Sequence, residues 1–76
     1  MSNLSKILEE LTLKNTVFLY EEFSDLVCKM IPEETGVRTF IKRKGKEEYE
    51  VTSNSEIVMN IEQGGEFITQ NEYDEF

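Results

Sequence analysis

The chain has 76 residues, 38% hydrophobic and 32% charged, enough for one small domain and no second core. Eight basic against sixteen acidic residues leave a net charge of -8, which argues against a free nucleic-acid binder and against an anionic membrane surface, because either would repel it. With no His and a single Cys, Ser-His and Cys-His catalysis, the commonest zinc ligand and an internal disulfide all drop out.

Residues 2–13, SNLSKILEELTL, place Leu4, Ile7, Leu8 and Leu11 on one helical face. Ser2 or Asn3 can cap the start of this helix through a side-chain oxygen. Lys14 and Asn15 suit its end: a cation at the negative pole, then a residue that tolerates left-handed backbone. Residues 16–20, TVFLY, are β-branched and aromatic and read as a short strand. Over 21–31, EEFSDLVCKMI, Phe23, Leu26, Val27, Met30 and Ile31 recur at helical spacing. Glu21 and Glu22 suit the positive pole, Lys29 the negative one, and Pro32 a stop. That pattern predicts a second helix.

The remainder reads as an antiparallel meander. In 36–44, Val37, Thr39 and Ile41 alternate with Arg38, Phe40 and Lys42, and Gly45 marks a hairpin turn. Residues 47–53 put Tyr49 and Val51 on one face, and Ser53-Asn54-Ser55 is turn chemistry. Residues 56–61 align Ile57, Met59 and Ile61 as a strand. Gly64-Gly65 predicts a tight turn, 66–70 a last strand, and 71–76 an acidic tail expected to fray. The expected fold is α+β, a single domain over 1–76. Two helices pack on a five-stranded, mostly antiparallel sheet in the order α-β-α-β-β-β-β.

Charge is unevenly spread. Residues 1–37 carry -4, residues 38–46 carry +5 (Arg38, Lys42, Arg43, Lys44, Lys46), and residues 47–76 carry -9. The basic cluster can hold a phosphate or simply keep hairpin ends soluble, and solubility is the more economical reading. Cys28, near the apolar side of its segment, reads as a packed thiol with no base to activate it. Glu47 and Glu48 are strand neighbours that point to opposite faces and form no catalytic dyad. No calcium-loop spacing occurs. The expectation is a non-enzymatic protein without metal or cofactor. The acidity itself is either solubility or mimicry of DNA, in which carboxylates take phosphate positions in a DNA-binding groove.

The opening stretch, MSNLSKILEELTLKNTV, resembles the start of the phage uracil-DNA glycosylase inhibitor family. The likeness lies at Met1, Asn3, Leu4, Ser5, Ile7, Glu9, Thr12, Lys14 and Val17. EEFSDLV is similar to that family's second helix, and Val51-Thr52-Ser53 to a turn after its third strand. The resemblance implies a DNA mimic made by a phage. It would act in the host cytoplasm as a monomer that binds host uracil-DNA glycosylase in a 1:1 complex and contacts neither nucleic acid nor membrane. In the family an edge strand enters the enzyme's DNA groove, and an apolar pocket takes the leucine that the enzyme wedges into duplex DNA.

Carried over residue by residue, the resemblance implies an edge strand with Asn15, Thr16 and Val17. Thr16 would stand for the serine hydroxyl, and the acid would be lost or supplied by Glu21 or Glu22, because the family's Gln-Glu-Ser has no clean counterpart and the chain is shorter here. An ungapped alignment would instead put Leu19-Tyr20-Glu21 there. The implied pocket comprises Leu19, Phe23, Leu26, Val27, Tyr49, Val51 and Met59, for most of which ordinary core is the rival reading. The implied turn holds Ser53 and Asn54, with Asn54 where the family has an Asp. The rival functions are an acidic phage inhibitor of another DNA-acting host protein and a small acidic interaction module.

Overall fold

The computed structural model describes residues 3–76. Its elements run α1 (Leu4–Thr12), β1 (Val17–Glu21), β2 (Leu26–Glu33), β3 (Gly36–Arg43), β4 (Tyr49–Val51), α2 (Glu56–Gly64), β5 (Glu66–Phe67) and α3 (Gln70–Glu75). The class is the expected α+β, with one five-stranded antiparallel sheet in the spatial order β4-β3-β2-β1-β5. Three helices accompany it, and the segments at 21–31 and 56–61 exchange the roles expected of them.

The sheet is explained by its two-residue period. Val17, Leu19, Leu26, Cys28, Met30 and Ile41 fall on one face, where Ile7 of α1 and Val58 and Ile61 of α2 close over them. Each fully buried Leu or Ile contributes about 1.5–3 kcal/mol of transfer free energy, so this face is the main source of stability. The other face carries Phe18, Val27, Lys29 and Lys42, and α3 lies over part of it. Tyr73 of α3 is 2% exposed and its ring tilts against Phe18 with centroids 5.4 Å apart. Both faces of β2 are therefore covered at its start, which explains the run Leu26-Val27-Cys28 of buried residues.

Helix α1 ends as its sequence suggests, one residue earlier than Asn15. Lys14 takes the left-handed conformation, φ 65°. Its N–H donates to the Leu11 carbonyl at 3.0 Å, and the Asn15 N–H to Glu10 at 2.9 Å, the paired bonds of a Schellman stop. At the other end Asn3 occupies the cap position without a side-chain cap bond. Instead its Nδ2 donates to the Gly65 carbonyl and its N–H to Glu62 at 3.2 Å, tying α1 to the end of α2. Ser2 lies outside the described residues.

The helix expected over 21–31 is a turn followed by a strand. The apolar run Leu26–Ile31 is too short for periodicity to separate the two states, and β1 and β3 on either side give it a full complement of ladder partners. Pro32 sits within β2, beyond its last β1 partner at Met30, where the missing N–H is tolerated. The strand expected over 56–61 is helix α2. Ser55 stands at its N-cap, Glu56 in its first turn, and Gly65 at its C-cap. A Cβ at Gly65 would come 2.6 Å from the Ile61 carbonyl oxygen, so the Gly64-Gly65 pair ends a helix instead of turning a hairpin. The last strand shrinks to Glu66–Phe67. The expected tail is α3, closed by a capping box in which Thr69 Oγ1 accepts from the Glu72 N–H at 3.1 Å and Glu72 Oε1 from the Thr69 N–H at 3.0 Å.

Candidate protein-binding surface

The β1–β2 turn is held by hydrogen bonds made by its own flanking side chains. Alternation from Val17 and Leu19 turns Glu21 inward, and it is 8% exposed. Its carboxylate reaches forward into the turn, accepting from the Ser24 N–H at 2.7 Å and the Phe23 N–H at 3.0 Å. Burial by itself would raise this carboxyl, but the Ser24 and Phe23 amides outweigh it and hold it below its ordinary 4.5. Asp25 closes the turn in left-handed backbone, φ 51°, with its N–H 3.3 Å from the Glu22 carbonyl. Asp25 Oδ1 accepts from the Tyr20 hydroxyl at 3.0 Å. Phe23, at the tip, is wholly exposed at 101%. A shallow groove leads from it to the outer side of α2 at Ile57, Asn60 and Gln63.

On the opposite face α3 is strapped to the sheet by polar contacts. The Tyr73 hydroxyl donates to Glu48 Oε1 at 2.7 Å, and Lys29 Nζ lies 2.9 Å from the same carboxylate. Lys29 and Tyr73 together hold the Glu48 carboxyl below 4.5. Burial first, then the Glu48 acceptor, pushes the Tyr73 phenol up. Lys42 Nζ donates to the Tyr73 and Asp74 carbonyls at 3.1 and 3.0 Å, meeting the negative end of the helix. Arg38 makes two hydrogen bonds of 3.2 Å to Glu50. The basic cluster is therefore partly paired within the fold, Arg38 with exposed Glu50 and Lys42 with the end of α3. Beside α3 a cleft is lined by Tyr20, Val27, Ile68, Glu66, Glu72 and Glu75, among others.

The residues expected to form an edge strand and a pocket do not come together. Strand β1 lies inside the sheet, because Leu19 and Tyr20 pair with Phe67 and Glu66 and the Ile68 N–H donates to the Phe18 carbonyl at 3.0 Å. Asn15 and Thr16 precede it as exposed loop, and Val17 is core. Glu21 is spent on the turn, leaving Glu22 exposed. Of the expected pocket, Leu19 and Leu26 are fully buried, and Val51 packs against the same core. Val27 faces the other side, while Phe23, Tyr49 and Met59 are exposed. With no helix over 21–31, no cleft forms between it and the sheet. Ser53 is structural, its Oγ 3.0 Å from Thr39 Oγ1 and donating to the Val37 carbonyl at 3.2 Å. Asn54 is exposed in the turn before α2.

Cys28 is fully buried, and burial, with Glu62 adding, pushes its thiol up to about 12; it is inert as a nucleophile. Among the described residues no group of His, Cys, Asp or Glu is placed to hold a metal ion, and no helix is long and apolar enough to cross a membrane. The sequence reading missed the Glu21 turn and the α3 strap. The signals were there: the inward step from Leu19 to Glu21, and Thr69-x-x-Glu72 as a capping box. No family model, curated protein or solved structure gives a significant match to the chain.

Proposed function

We propose that this chain is a non-enzymatic, acidic binding protein that occupies the basic nucleic-acid groove of a DNA-acting enzyme. The observation that carries this reading is the state of the carboxylates. All the acids except Glu10, Glu21 and Glu62 are exposed, and among the described residues only Glu48 and Glu50 stand in ion pairs. A rigid scaffold holding this many unneutralised carboxylates is steered by a positive groove and gains from the ions released there.

The proposed target is a host uracil-DNA glycosylase, bound 1:1 in the host cytoplasm by a phage-encoded monomer. The likeness of the opening residues supports that choice. The turn and strand over 22–33 depart from the second helix that the likeness would imply, so the choice rests on the first 17 residues. The contact surface is drawn from the exposed acids of α2 and α3 and from the β1–β2 turn, in place of an edge strand at β1. The test is a glycosylase assay on uracil-containing DNA. Activity is expected to vanish near equimolar protein, and the association rate to fall steeply with added salt. Undiminished activity at about tenfold excess over enzymes from several bacteria would remove the glycosylase as target.

A further inference from the structure

We infer that Phe23 is the anchor of the complex, an aromatic knob that enters an apolar, base-sized pocket rimmed by basic side chains on the partner. The inference rests on the reading above and names the surface through which it works. Phe23 is the most exposed of the large apolar side chains, at 101%. Leaving a phenyl ring in water forgoes the gain of burying it, and a turn position is readily filled by a polar residue.

The turn beneath the ring is held in place from both sides. The buried Glu21 carboxylate takes the Phe23 and Ser24 amides, and Tyr20 holds Asp25. The backbone that presents the ring is therefore ordered before binding, and little ordering cost remains to oppose association. Rigid aromatic side chains of this kind dominate binding energy when a pocket desolvates them.

The surroundings select the partner. Glu22 and Asp25 flank Phe23 in the turn's sequence and are exposed, so a pocket that accepts the ring meets their charge and is bordered by cations. Pockets of that chemistry, flat and apolar with a basic rim, are what nucleic-acid enzymes use to stack or receive a base beside its phosphates. Phe23 stands for the base, and Glu22 and Asp25 stand for the flanking phosphates. A second copy of this chain is a poorer occupant, because its net charge of -8 repels the like charge on the turn. An anionic lipid surface is disfavoured on the same ground.

The test compares wild type with Phe23→Ala and Phe23→Tyr for binding to purified bacterial uracil-DNA glycosylase, with sedimentation of the free proteins in parallel. The ring touches no core residue, so both variants are expected to melt with wild type. Phe23→Ala is expected to bind about thirty-fold more weakly or worse, chiefly through faster dissociation. Its salt dependence should be unchanged, and Phe23→Tyr should retain most of the affinity. A folded Phe23→Ala variant that binds as tightly as wild type overturns the anchor and leaves the glycosylase reading standing. Failure of wild type itself to bind overturns the glycosylase reading and this inference with it. A wild-type dimer that Phe23→Ala abolishes overturns it in favour of a second copy.

Discussion

Glu21 and Glu22 are neighbours of one chemical type with opposite fates. Strand alternation puts Glu21 on the inner face with Val17 and Leu19, and the only way to satisfy its charge there is the pair of turn amides it accepts. Glu22 carries its charge in water. Glu21→Gln therefore replaces two charge-assisted hydrogen bonds with at best weaker ones and is expected to cost about 1.5–3 kcal/mol. Glu22→Gln should stay within about 0.5 kcal/mol. Urea or thermal melts of the two single variants check this, and equal melting of both would show that the turn bonds carry no net stability. Binding measurements on the same proteins separate the roles further, because a weakened turn also loosens the Phe23 mount.

At the scale of elements, the sequence is most legible where local chemistry and tertiary need agree. Helix α1 has both a single apolar stripe and a full stop at Lys14 and Asn15. Lys14 nonetheless pays for its left-handed backbone with a Cβ clash that glycine lacks. Lys14→Gly is expected to stabilise the protein by about 0.5–1 kcal/mol, a rise in melting temperature of about 2–8 °C for a domain this size. A fall in melting temperature would mean that Lys14 contributes through contacts outweighing its backbone strain. The two misread elements, 21–31 and 56–61, each contain a short, largely apolar stretch whose length fits either state. In each, the punctuation was the better guide: Ser24-Asp25 for a turn ahead of a strand, and Ser55 with Gly65 for the ends of a helix.

For the whole molecule, residues 47–76 supply β4, α2, β5 and α3 and carry -9, more than the chain's net charge of -8. Glu48 anchors this part of the chain to β2 through Lys29, while Glu21 holds the β1–β2 turn. Glu21 and Glu48 are held below their ordinary 4.5, so the stability they confer is complete above that value and is lost as pH falls through their folded-state values. Glu62 has the opposite sign: burial raises it, and protonation relieves that penalty. Arg38 lowers Glu50 as well, so three lowered carboxyls oppose one raised, and melting temperature is expected to hold from about pH 7 to about pH 5.5 and to fall below 4.5. Glu48→Gln should start lower at neutral pH and lose less on acidification. A profile for that variant parallel to wild type would show that the Lys29–Glu48–Tyr73 contacts do not set the acid limb.

The sequence by itself determined the α+β class, the helix at the start, the strand after it, the hairpin closing at Gly45 and the lack of a catalytic histidine. These follow from local periods, turn chemistry and composition, which need no knowledge of distant residues. Only the tertiary structure decided that Leu26–Glu33 would be the central strand, that β5 would close the side of β1, and that Phe23 would stand in water while Leu26 went to zero exposure. Those outcomes depend on which strands are available to pair with the chain's unsatisfied N–H and C=O groups. Helix and strand offer a short apolar run nearly the same burial, so the ladder bonds supplied by β1 and β3 select between them.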